Sequence, residues 1–164
     1  MDAEYFRTMF AFNYWARDRL LKQISELSPE EYTATRPIDY GSIRATLVHN
    51  LNAEAGYLAR WSGQPLETPI NEETVPTAEA LKNRWSEEQA KMTAFLAAMP
   101  EDGPNREVKQ VSRSGQESIN PLWGLMTQFI NHGTTHRSEI ASTITQLGHS
   151  PGDLDFIVYL REQR

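Results

Sequence analysis

The chain has 164 residues, 39% of them hydrophobic, including four Trp, six Phe and six Tyr; that is enough for one domain with a substantial core and excludes wholesale disorder. Its net charge of −6 is spread without a basic stripe, which argues against nucleic acid as a partner. Cysteine is absent, so disulfides and thiolate metal sites are excluded and any thiol chemistry needs a thiol from outside the protein.

Asp2 is placed to cap a first helix running to about Leu27, with Phe6, Met9, Phe10, Asn13, Leu20 and Ile24 at helical spacing. Ser28, Pro29 and Glu31 form a capping box over a short second helix. After a loop holding Pro37 and Gly41, Ser42 to Trp61 reads as a long helix with its stripe at Ile43, Leu47, Leu51, Leu58 and Trp61. Ser62 to Pro76 holds three prolines and reads as a surface linker. Thr77 caps a further helix to about Met99, with Leu81, Trp85, Met92, Phe95 and Leu96 inward. Residues 100–118 break the pattern; weak alternation around Ser114-Gly115 fits either a small hairpin or an irregular loop. Asn120-Pro121 then opens the last long helix as cap and first-turn proline, and Gly148 stops it. A short C-terminal helix, DLDFIVYLREQ, follows the Pro151-Gly152 turn. The expected architecture is all-α: a single domain over 1–164, a four-helix bundle with a short extra C-terminal helix. MDAEYFRTMF lacks the basic and apolar segments of a secretory signal, and no apolar run reaches membrane-spanning length. The expectation is therefore a cytoplasmic protein that does not enter membranes.

The chain has four histidines. His132 and His136 are four apart on the last long helix, so their side chains share a face. With Leu122 at zero they fall at about 280° and about 320° on the helical wheel, on the flank of the buried stripe. Gly133 between them removes a side chain and leaves room for a ligand. An HxxxH pair also occurs by chance, as one exposed and one hydrogen-bonded histidine. His49 lies well off its own helix's stripe, among Ala45, Asn52, Ala53 and Gly56. Periodicity favours a solvated residue there, although neighbours that small also admit a second helix or a cleft. His149 follows Gly148 in a turn and reads as a surface residue.

Three segments resemble the DinB/YfiT-like family of metal-dependent enzymes, the damage-inducible helical bundles and not the polymerase that shares the name. FAFNYWARDRLL is similar to the family's Asn-x-Trp-Ala opening at Asn13, Trp15 and Ala16. LVHNLNAEAGYLARWSG resembles the segment carrying the first metal histidine, here His49. NHGTTHRSEIASTITQLGHSPGDLDF resembles Asn-His-x-x-x-His-Arg-Gly-Gln-Ile followed by a Gly-x-x-Pro turn and an Asp. The resemblance implies His49, His132 and His136 as metal ligands, in a cleft at one end of the bundle, and a homodimer. Ser138 and Glu139 stand where Gly-Gln is usual, which puts an extra carboxylate near the site, at about 260° on the wheel and beside His132. Glu139 is thus the candidate to orient a ligating imidazole, or else a solvated glutamate. Asn13, Tyr57 and Trp61 are further pocket candidates, the aromatics being equally at home in the core.

Three neutral imidazoles suit zinc or nickel, among other borderline divalent ions, and leave a coordination position open, as in catalytic sites. Water or a thiol held there ionises more readily. The expected function is a metal-dependent transferase that activates a low-molecular-weight thiol toward an electrophilic small molecule, a reading the resemblance supplies. The alternatives are a metal-dependent hydrolase and a non-catalytic metal- or small-molecule-binding stress protein.

Overall fold

The computed structural model describes residues 2–111 and 115–164. Four long helices make the body: α1 (Ala3–Ile24), α3 (Ile43–Ser62), α4 (Ala78–Ala97) and α5 (Leu122–Gln146). Two short helices, α2 (Pro29–Thr33) and α6 (Phe156–Glu162), and an antiparallel hairpin, β1 (Glu107–Val111) with β2 (Glu117–Pro121), complete it. The bundle expectation is therefore right for the core, but all-α is incomplete. The hairpin pairs Val108 with Asn120 and Glu107 with Pro121. Asn120 is accordingly a strand residue and not a helix cap. Pro121 occupies the N-cap position of α5 with no side-chain bond, and the Leu122 N–H finds its acceptor in the Arg106 carbonyl. Ser114, at the centre of the expected alternation, lies outside the described residues.

The other caps follow the sequence signals. Asp2, Ser42 and Thr77 each accept a backbone N–H from the first turn of their helix, and the Ser28–Glu31 capping box is closed in both directions. Each such cap contributes about 1 kcal/mol. Gly148 stops α5 with φ at +92°, a conformation only glycine adopts without strain. Two helices end earlier than expected, α1 at Ile24 and α4 at Ala97. At the end of α4, Arg7 donates to the carbonyls of Leu96 and Met99, and those orphan acceptors find a partner on α1.

The apolar core falls into three clusters: a small one where α6 packs on α1 through Phe12, Ala16 and Tyr159, and two larger ones separated by a polar waist. One is aromatic: Phe10 stacks on Phe129 at 5.3 Å, and Trp61 meets both rings edge-on. The other is mostly aliphatic, built on Leu20, Ile43, Leu47, Leu51, Leu81, Ile140 and Ile144. Between them in sequence, each long helix places a buried charged or polar residue: Arg17 on α1, Glu54 on α3, Glu88 on α4, His136 and Arg137 on α5; buried Asn13 lies one turn before Arg17. Buried charge is tolerated only when paired. Glu54, 1% exposed, accepts bonds of 2.6 Å from both the Tyr14 hydroxyl and the Trp85 indole, so one carboxylate joins α1, α3 and α4. No described helix is long and apolar enough to cross a membrane.

Candidate metal centre

His132 and His136 sit midway along α5, and the first third of α3 supplies His49 opposite them. The ring atoms of the three that could hold an ion all lie within 4.8 Å of one another. His49 Nε2 and His132 Nε2 are 3.0 Å apart. Two nitrogens bonded to one tetrahedral ion at about 2.0–2.1 Å would be about 3.3 Å apart, so the pair needs little movement to share one. On α5 the site lies at mid-helix, and on α3 it lies toward the N-terminal end, beneath the loop that carries Asp39 and Tyr40. His149, half-buried in the turn after α5, is outside the cluster.

The surroundings of His49 explain why periodicity misplaced it. Its face of α3 is neither core nor open solvent. Asn52 on the same face holds the linker by a two-way bond, its Nδ2 donating to the Ile70 carbonyl and its Oδ1 accepting the Ile70 N–H. Over the imidazole lies Tyr40, with ring centroids 3.9 Å apart and planes 17° from parallel, and its edge meets His136 at 5.5 Å. Nothing in the sequence marked Tyr40, because a loop residue carries no periodicity.

His136 is 5% exposed. Its Nδ1 is buried without a hydrogen-bond partner, and so is Glu139 Oε2, 3.7 Å away; Asp39 Oδ2 lies 3.8 Å from the same nitrogen. Asp39, His136 and Glu139 form a second group able to approach a cation. With Nδ1 turned to the carboxylates, Nε2 is the His136 nitrogen left for an ion beside His49 and His132. Glu139 therefore addresses His136 and not His132 as the wheel placed it. Its other oxygen accepts the Asp39 N–H at 2.9 Å, tying the loop that carries Tyr40 to α5. Burial, with the nearby charge of His136 second, holds the His132 pKa below the ordinary histidine value, and a neutral imidazole is what ligation needs.

Gly133 does not leave room for a ligand. A Cβ there would meet Arg137 Nη1 at 2.9 Å and Asn13 Oδ1 at 3.2 Å. The space belongs to the Arg137–Asn13 bond that fastens α5 to α1. Of the three further pocket candidates, Asn13 faces the cavity behind His132, while Tyr57 and Trp61 pack in the aromatic cluster.

A helical bundle with three imidazoles converging on its flank defines a class, metal-binding bundles with a donor set consistent with a metal-dependent enzyme. The sequence profile of the DinB family matches residues 1–164, and the chain belongs to that family. It is similar to Protein DinB of Bacillus subtilis (strain 168), 24% identical over 162 residues, covering 93% of this chain and 91% of that protein.

Proposed function

We propose that His49, His132 and His136 hold one divalent transition-metal ion, zinc or nickel, and that the protein, folded as one domain, is a metal-dependent transferase joining a low-molecular-weight thiol to an electrophilic small molecule. The observation that carries the metal reading is the convergence of three ring nitrogens within 4.8 Å from helices far apart in sequence. Three protein ligands leave a position open, and a bound ion there lowers the pKa of an incoming thiol or water. The chain's own residues prepare the place. Burial lowers the His132 pKa, which favours the neutral form that ligation needs. Glu139 faces His136 Nδ1 at 3.7 Å, where a small closure would let it accept that N–H and fix the tautomer presenting Nε2, and Tyr40 stacks on His49. The thiol comes from solution because the chain has no cysteine.

Elemental analysis of the purified protein tests the metal reading. One transition-metal ion per chain is expected, lost in His132→Ala and His136→Ala and kept in His149→Ala. Undiminished metal in the first two variants removes the assignment. The reaction is tested separately, with an electrophilic aromatic and a panel of thiols, with and without metal. Metal-dependent turnover of ester or amide bonds without any thiol would replace the transferase by a hydrolase. Metal binding with neither activity would leave a binding protein.

A further inference from the structure

A cavity of about 20 Å³ lies inside the polar waist, walled by residues of all four long helices and bordered by His132. Two fully buried polar atoms on residues of its wall, Arg17 Nη1 and Asn50 Oδ1, have no hydrogen-bond partner. Both residues are more than nine-tenths buried, at 5% and 6% exposure. The charged groups around them are already engaged. Arg17 Nε and Nη2 donate to Asp18, and Nη2 also to Gln89. Glu54 accepts from Tyr14 and Trp85, and Arg137 donates to Asn13 and Thr134. What remains is one unpartnered donor and one unpartnered acceptor, on two residues that line the same cavity.

The occupant must accept from a guanidinium and donate to an amide oxygen. An anion has no proton for Asn50. A cation would face Arg17 and Arg137. A polar cavity needs roughly 10–15 Å³ and two to four polar partners to hold a water, and this one supplies both. We propose that the cavity is a built site for one internal water that bridges Arg17 Nη1 to Asn50 Oδ1. The bridge ties α1 to α3 at the residue next to His49, against the wall formed by His132 and Gly133. Asn50 is thereby a positioning residue for the helices that bring the histidines together. This second role rests on the metal reading; the water itself does not.

A high-resolution crystal structure, repeated after a bromide soak, decides the water. One peak without anomalous signal, within hydrogen-bond distance of both atoms, is expected. An empty cavity, a bromide in it, or an Asn50 amide turned onto a protein partner overturns the site. Cobalt titrations followed by visible absorption test the positioning role in Asn50→Leu and Asn50→Asp. The Leu variant should lose the peak, change the ligand-field spectrum and bind cobalt about 10-fold more weakly, at the lower end of what outer residues contribute at metal sites. Asp keeps the acceptor and should retain the wild-type peak and spectrum. An unchanged spectrum and affinity in a folded Leu variant overturns the positioning role. If Leu does not fold, a changed spectrum in a folded Asp variant that keeps the peak overturns it instead. Wild-type protein that takes up no cobalt would remove the metal reading and the positioning role with it, while the peak would still decide the water.

Discussion

Glu139 has two oxygens with different tasks. Oε1 accepts the Asp39 N–H, and Oε2 is buried 3.7 Å from His136 Nδ1 without a partner. A ligating imidazole makes its other N–H a stronger donor, and a small closure gives it this oxygen. Losing such a partner weakens metal affinity about 10–100-fold. Glu139→Ala should show that loss, and Glu139→Gln less of it, since an amide oxygen still accepts. Metal dissociation constants for the two variants beside wild type check this; three equal constants would reduce Glu139 to a tether for the loop. Tyr40→Phe should bind metal as wild type does, because the stack on His49 needs only the ring, and Tyr40→Ala should bind more weakly. Equal affinity in Tyr40→Ala would show that His49 holds its plane unaided. At this scale the sequence was legible in part. The spacing of His132 and His136 pointed to a shared face, but His49 came through family resemblance, because half its surroundings are a linker and a loop. Asp39 and Tyr40 had no signal at all, since only the fold brings residues before α3 onto the middle of α5.

The polar waist is a property of elements. Arg137 bonds to Asn13 across the gap that Gly133 leaves, so α1 and α5 approach at a glycine. Gly133→Ala gains up to about 1 kcal/mol of helix propensity but must displace a buried, bonded guanidinium, and overpacking of that kind costs about 1–3 kcal/mol. A net loss of about 1 kcal/mol follows from the two figures. Gly124→Ala, whose Cβ would meet only Pro121 Cγ at 3.7 Å, is the control and should be neutral or stabilising. Urea unfolding of both checks this; a stabilised Gly133→Ala would show the Arg137–Asn13 link to be slack. Glu54 adds a pH dependence. Burial raises its pKa above the ordinary 4.5 against the lowering effect of its bonds to Trp85 and Tyr14. A carboxyl raised on folding contributes stability below its unfolded pKa and loses it as pH rises through the folded value. Wild type should therefore gain on Glu54→Gln as pH falls from about 8 to about 5. Parallel stability curves over that range would mean that Glu54 titrates as it does in the unfolded chain. Elements were legible where local signals act alone, as at the caps of α1, α2, α3 and α4. They failed around Asn120, where a cap-and-proline signal was overridden by strand pairing with Val108. That pairing depends on partners 12 residues apart, which periodicity does not reach.

For the molecule as a whole, the histidine cluster links metal binding to folding. The proposed ligands come from α3 and α5, with His49 and His132 83 residues apart, so the unfolded chain has no preformed site. An ion that binds only the folded state stabilises it by RT ln(1 + [L]/Kd), about 2.7 kcal/mol at a free concentration 100 times Kd. In a protein of this size each kcal/mol raises Tm by about 2–4 °C. Zinc or nickel at that excess should then raise Tm by about 5–11 °C, and a chelator should reverse the rise. The same addition to His136→Ala should raise it little. Because the three imidazoles must be neutral to ligate, the rise should shrink as pH is taken below about 6.5. Calorimetric scans with and without metal at pH 7.5 and pH 5.5 measure both effects. An equal rise in His136→Ala would place the ion elsewhere on the chain. An equal rise at both pH values would point to carboxylates as the ligands, because they stay ionised over that range while imidazoles do not.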